Sequence, residues 1–323
     1  METMIRNYRE TDFPALAELW STAGTAQGYA PQPPEALAGL LTENPYFSPS
    51  FALVLEEEGA MAGFACGCAG DDLPQGQARG YFTCLLLDGA HETAENAAAL
   101  LSALEDAFRR AGKTQMAVSF FNPMRLPWIV PGTPGHQHNN CPGVAEDVPL
   151  HGWMLAAGYA VRAVECAMYL DLDRFEMPDW AGERAEALSA EGYTVDWYRS
   201  GVHRGLAGMV HSMGNPMWDA EIPEAAEKIN MLVALRDGEV VGFTGPVYPE
   251  ETGRGYFAGI AVSADHGGHG LGSLLFSRLC QAEKEAGSRY MSLFTGSDNH
   301  AQKIYLQAGF QVRRRFSVMT KEL

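Results

Sequence analysis

The stretch Val262-Ser263-Ala264-Asp265-His266-Gly267-Gly268-His269-Gly270-Leu271-Gly272 decides how the rest of the chain is read. It follows an apolar segment, Tyr256 to Val262. It precedes an amphipathic one in which Leu271, Leu274, Leu275, Leu279 and Ala282 recur at helical spacing. Strand, glycine-rich turn and helix in that order make a cradle for an anion. Glycines let backbone N–H groups converge on one point without a Cβ in the way, and the helix N-terminus adds a potential that favours negative charge. A dinucleotide fingerprint does not fit, because the sixth position counted from Gly268 is Ser273. A P-loop does not fit either, since the turn contains no Gly-Lys-Ser or Gly-Lys-Thr. The competing reading is a tight strand-to-helix connection and nothing more, although four glycines in six residues exceed what packing requires.

Working outward, the same pattern occurs twice. Gly80-Tyr81-Phe82 running to Ala111-Gly112 matches Gly255-Tyr256-Phe257 running to Ala286-Gly287 at an offset of 175. Ala157-Gly158-Tyr159-Ala160-Val161-Arg162 matches Ala308-Gly309-Phe310-Gln311-Val312-Arg313 at an offset of 151, so the first copy carries 175 − 151 = 24 extra residues in between. Gly63-Phe64 resembles Gly242-Phe243, and Ile5–Arg9 resembles Val195–Arg199. Each copy reads as an α/β unit with a mixed sheet flanked by helices, an α+β arrangement that can hold a ligand near a strand end at a helix N-terminus. The expected division is a first domain over 1–177, a linker over 178–191 and a second domain over 192–323.

Composition agrees with two soluble domains. The chain has 323 residues, 46% apolar and 20% charged, with 40 acidic against 23 basic side chains and a net charge of −17. Such a surplus of acid argues against a nucleic-acid partner, which needs clustered Lys and Arg. It suits a cationic, amine-bearing one. No apolar run approaches the roughly 18 residues that span a bilayer, and the first residues carry no apolar h-region. No membrane or secretory signal is expected, and the cytoplasm is the default location. The six cysteines show no disulfide spacing. Cys66 and Cys68 sit two apart in an apolar stretch and read as buried strand residues rather than metal ligands.

The glycine turn resembles motif A of the GNAT superfamily of acetyl-CoA-dependent N-acetyltransferases, Gln/Arg-x-x-Gly-x-Gly/Ala, with Gly267 in the usual Gln/Arg place. Downstream, Ala301, Tyr305, Gly309 and Phe310 resemble the family's motif B, Ala-x-x-x-Tyr-x-x-x-Gly-Phe. Two tandem GNAT-like acyl-CoA N-acyltransferase units are therefore expected, an arrangement similar to that of mycothiol synthases, whose acceptor does not transfer with the likeness. The resemblance implies that Ile260 and Val262 pair by backbone with the pantetheine arm of acetyl-CoA. It implies that Gly267, Gly268, His269, Gly270, Leu271, Gly272 and Ser273 hold the pyrophosphate, and that Asn299 touches the cofactor arm. Tyr305 would protonate the departing thiolate, as a phenol of pKa about 10 can. The competing reading of Tyr305 is a packed helix aromatic.

The first copy lacks this equipment. At offset 175 the glycine turn falls on Glu92-Thr93-Ala94-Glu95-Asn96-Ala97, and at offset 151 Tyr305 and Asn299 fall on Met154 and Val148. The 24-residue excess, around Trp128–Asn140, reads as a Pro- and Gly-rich loop. His136 and His138 in it lack a third metal ligand nearby, so no metal is expected.

The acceptor is an unidentified small-molecule or peptide amine. Asn215, Trp218, Asp219 and Glu221, with Met217, are the pocket candidates, because the segment after the first helix borders the acceptor in this fold. No carboxylate lies on Tyr256–Val262 to serve as base; Glu250 and Glu251 precede it. Arg313-Arg314-Arg315 reads as a solvated strand edge. The alternative function is an acyl-CoA-binding or interaction protein with little or no catalysis.

Overall fold

A computed structural model describes residues 3–323. The chain forms two compact units, one made of residues up to Cys166 together with Arg314–Leu323, the other of Ala167–Arg313.

The first unit is built on β1 (Thr3–Asn7), β2 (Ala52–Glu57), β3 (Ala60–Cys68), β4 (Arg79–Leu87) and β5 (Gln115–Val118). β1 to β4 pair antiparallel in sequence order, and β4 pairs parallel with β5. Helices α1 (Phe13–Leu19) and α2 (Pro34–Leu40) precede the hairpin, and α3 (Ala94–Arg110) joins β4 to β5. The apolar stripe of α3, Leu100, Leu101, Leu104 and Phe108, is fully buried against β2–β4. Cys66 and Cys68 lie in the core on the other face of the sheet, as their alternation implies. Short strands β6 (Trp128–Ile129), β7 (Gln137–His138) and β8 (Val144–Ala145), helix α4 (Pro149–Ala156) and β9 (Ala160–Asp171) follow. The Trp128–Asn140 segment, read as a loop, contains the β6–β7 hairpin, and Trp128 is buried there with its Nε1 bonded to the Asn140 carbonyl.

The second unit repeats the order: helix α5 (Trp180–Ala190), β10 (Tyr193–Trp197), α6 (Leu206–Ser212), α7 (Pro216–Ala226), β11 (Leu232–Arg236), β12 (Glu239–Gly245), β13 (Gly259–Val262), α8 (Leu271–Glu285), β14 (Tyr290–Gly296), α9 (Gln302–Gln307) and β15 (Gln311–Glu322). β10 to β13 form an antiparallel sheet with β13 at its edge. Asn215 caps α7 by accepting from the Met217 and Trp218 amides, with Pro216 at the first helical position, where its missing N–H costs nothing.

The unit boundaries differ from the expected 1–177, 178–191 and 192–323. Helix α5 occupies the expected linker. The last ten residues fold with the first unit, because β15 pairs with β5 (Met319 opposite Val118) and with β8 (Phe316 opposite Ala145). The same pairing corrects the reading of the arginine run. Arg314 is almost buried and bonds Asp147 and the Gln27 carbonyl, and the Arg313 guanidinium lies over the Tyr169 ring; Arg315 alone of the three is well exposed. Among the described residues no helix is long and apolar enough to cross a membrane.

Candidate functional site

The informative feature of the second unit is where its strands part. The segment before β13 meets β14 through a parallel bridge between Arg254 and Tyr290, with the Gly255 amide donating to the Tyr290 carbonyl at 2.8 Å. Beyond it, β13 pairs with β12 alone: Ile260 lies opposite Thr244 and Val262 opposite Gly242. One edge of Gly259–Val262 is thus left with backbone groups that an extended ligand can pair. The strand begins later than the expected Tyr256. The Trp218 indole donates to the Ala258 carbonyl at 3.0 Å and lies where a Cβ on Gly259 would sit, 2.4 Å from its nearest atom, so the chain leaves the ladder there.

At the end of that edge lies a groove of about 340 Å³, lined by Ile260, Ala261, Val262, His266, Gly267, Gly268, Gly270, Leu271, Gly272, Ser273, Ala301 and Ile304. Most of the residues expected around an anion converge here. Gly270 is the N-cap of α8 with φ +82°, a left-handed conformation that disfavours side chains, and no side chain caps the helix. The first amides of a fifteen-residue helix are therefore open to a ligand. His266 also lines the groove, its Nδ1 paired with the Tyr193 hydroxyl at 3.0 Å.

Two expected residues are not on the wall. The His269 imidazole turns to Glu191 (Nδ1 to Oε2, 2.5 Å), leaving only its backbone near the turn, where its carbonyl accepts from Arg184. The Asn299 Oδ1 accepts from the Ala301 amide at the start of α9. Ser273 is on the wall and donates to Gln307 Oε1 at 2.7 Å.

Tyr305 lies behind the groove, next to Ile304, in a cluster with Phe276, Phe310 and Phe257, the last meeting it edge-on at 6.1 Å. It is 6% exposed, and burial pushes its phenol up to about 12. No hydrogen bond joins its hydroxyl to another described residue, so its proton is uncommitted.

On the side of α7, Glu221 accepts a short hydrogen bond from the Tyr256 hydroxyl. Tyr256 stacks on Tyr248 at 4.8 Å, and burial first, then the bond to Glu221, raises its phenol well above the ordinary value. Tyr256 was not among the expected site residues: its partner is 35 positions away and no motif joins them. Asp219 pairs with His211, and Asn215 is used as the cap of α7. Glu250 is held by both forks of Arg254, each at 2.7 Å, which removes it as a free base.

The equivalent region of the first unit is filled by the chain itself. β4 and β5 pair over Arg79–Tyr81 and then part. The Asn122 Nδ2 donates to the Phe82 carbonyl and to Thr83 Oγ1, both at 2.9 Å, and the Gln27 Nε2 donates to the Leu85 carbonyl at 2.9 Å. Leu85 is the counterpart of Ile260. Thr93 caps α3 by accepting from the Asn96 amide, where α8 has no cap.

Residues 209–310 match the model of the Acetyltransferase (GNAT) family. The matched stretch lies within the second unit, and proteins of that family in general move an acyl group from acyl-CoA to an amine. Among solved structures, the GCN5-related glucosamine N-acetyltransferase region of a fungal multi-domain GH3 β-N-acetylglucosaminidase is similar over 99% of this chain, with TM-score 0.70 and 14% identity; the chain spans 38% of that protein's length. A GCN5-related N-acetyltransferase from Sphaerobacter thermophilus is similar over 99% of this chain and 95% of its own (TM-score 0.64, 17% identity). A tandem GNAT protein from the clavulanic acid biosynthesis pathway is similar over 99% and 98% (TM-score 0.58, 16% identity). At these identities the likeness establishes the fold, a tandem GNAT arrangement. No curated protein matches the chain in sequence.

Proposed function

We propose that the chain is an acetyl-CoA-dependent N-acetyltransferase that works through its second unit and acetylates a cationic amine. The observation that carries this reading is the unpaired edge of β13 running into the uncapped N-terminus of α8. In this reading Ile260 and Val262 bond the pantetheine arm, and the amides from Gly267 to Ser273 receive the pyrophosphate. His269 contributes its backbone only, and Asn299 its unbonded Nδ2.

The acceptor arrives as an ammonium ion and must lose a proton before its nitrogen can attack. The Tyr256 hydroxyl, already donating to Glu221, relays that proton to the carboxylate. The neutral nitrogen then attacks the thioester carbon; the C–N bond forms, the C–S bond breaks, and the nitrogen sheds its second proton to solvent. Tyr305 delivers its phenolic proton to the departing CoA thiolate and recovers one from solvent. Asp219 and Glu221 supply the negative potential that favours a cationic acceptor, with Trp218 as an apolar wall.

Measuring CoA release from acetyl-CoA across a panel of amines tests this reading. Turnover with at least one primary amine is expected. Tight binding of acetyl-CoA without turnover on any amine favours the binding-module alternative instead.

A further inference from the structure

The first unit contains a cavity that the acyl-transfer reading does not use. It lies where β4 and β5 part, beyond the Asn122 and Gln27 side chains that close the strand edge, and its volume is about 40 Å³. A single water needs roughly 10–15 Å³ on this scale, so the space suits about three waters or a molecule of a few heavy atoms. It is far too small for a pantetheine arm. The wall is aromatic on one side, with Trp128 and Phe316, and carries one charged side chain, Arg314.

Among the polar groups on this wall, a guanidinium and a phenol are open to a ligand. Arg314 is 9% exposed; its Nε bonds Asp147 and its Nη1 the Gln27 carbonyl, while its Nη2 has no partner among the described residues. The Tyr29 hydroxyl has none either, although its ring is fixed by stacking on Trp20 at 5.0 Å. Burial raises its phenol well above the ordinary value and pushes the Cys141 thiol up to about 12, so both keep their protons. Arg314, Tyr29 and Cys141 all line this small cavity. The guanidinium can only donate and carries a charge, so it favours an anionic acceptor, to which the phenol can add a second donor.

We propose that this cavity binds a small carboxylate, acetate to propionate in size, with its oxygens between Arg314 and Tyr29 and its alkyl end against Trp128 and Phe316. An amide or alcohol of the same shape lacks the negative charge that pairs with the guanidinium. The site is separate from the groove beside α8 and independent of whether that groove is catalytic.

Saturation-transfer NMR on the full chain tests this, with propionate as probe and propionamide as its neutral match. Propionate is expected to bind, propionamide at least tenfold more weakly, and excess acetyl-CoA to leave the propionate signal in place. Tyr29→Phe removes one hydroxyl without changing the ring and is expected to weaken propionate about tenfold or more, as loss of a hydrogen bond to a charged group does. Arg314→Met is expected to abolish binding. Equal binding of propionamide, unchanged affinity in Tyr29→Phe, displacement by acetyl-CoA, or no transfer from propionate would each overturn the proposal.

Discussion

The Tyr256 hydroxyl is bonded to the Glu221 carboxylate, joining the segment before β13 to α7 in the second unit. The next residue, Phe257, meets the ring of Tyr305. A phenol–carboxylate pair and an uncommitted phenol thus approach the same short segment from different elements. One is suited to taking a proton and the other to giving one. If Glu221 is the terminal base, Glu221→Gln keeps a hydrogen-bond acceptor for Tyr256 but cannot receive the proton. We predict a fall in kcat of about 10²-fold or more, with KM for acetyl-CoA changed less than threefold. A fall confined to KM for the amine would make Glu221 a binding group only.

Tyr305 offers a cleaner separation of chemistry from folding. Tyr305→Phe preserves the ring that packs on Phe276 and Phe310 and deletes a hydroxyl that bonds nothing else. The melting temperature is expected to stay within a degree or two while kcat drops about 10²-fold. Because burial holds the phenol at about 12, the acid remains protonated through the whole working range. No alkaline loss of kcat below pH 11 should therefore be assignable to it. An alkaline limb near pH 9 that vanishes in Tyr305→Phe would contradict this assignment.

The repeat, the glycine turn and the aromatic helix were legible because each depends on local spacing. Four glycines ahead of an amphipathic run have few other uses, and an offset of 175 needs no structure to be seen. Four things were not legible. Helix α5 escaped notice because it buries only Ala181 and Leu188, too few for an apolar stripe. The late start of β13 is caused by Trp218, some forty residues earlier, which takes the Ala258 carbonyl out of the ladder. The Tyr256–Glu221 pair and the burial of Arg314 likewise follow from contacts between segments far apart in sequence.

A buried acid in α8 makes stability depend on pH. Glu283 is fully buried, with the Ser288 hydroxyl and the Tyr248 amide bonded to its carboxyl, and burial raises its pKa to about 8. An unfolded glutamate titrates near 4.3, so between these values the folded protein holds a proton that the unfolded chain releases. The stabilising effect of that difference is complete below the unfolded pKa and disappears as pH rises towards 8. Replacing Glu283 with Gln keeps the shape and removes the titration. Its melting temperature should gain on the wild type steadily from pH 5 to pH 8.5, by an amount equivalent to a few kcal/mol at most. Parallel melting curves for the two proteins across that range would show that Glu283 is not the group responsible.

The contrast between the two strand edges predicts how many cofactors one chain takes. In the second unit the edge of β13 is unpaired and α8 has no cap; in the first, Gln27 and Asn122 occupy the edge of β4 and Thr93 caps α3. A pantetheine arm entering the first unit would have to displace two side-chain amides that are already bonded, and its pyrophosphate would meet Glu92 and Glu95 in place of glycines. Calorimetric titration with acetyl-CoA should therefore give one site per chain. Gly270→Ala forces a side chain into a left-handed conformation, worth about 1–2 kcal/mol of strain, and tilts the first amides of α8. It should weaken that single site about tenfold and leave no second one behind. Two equivalents of acetyl-CoA in the wild type, or one undiminished equivalent in Gly270→Ala, would place the cofactor in the first unit and reverse the assignment of roles.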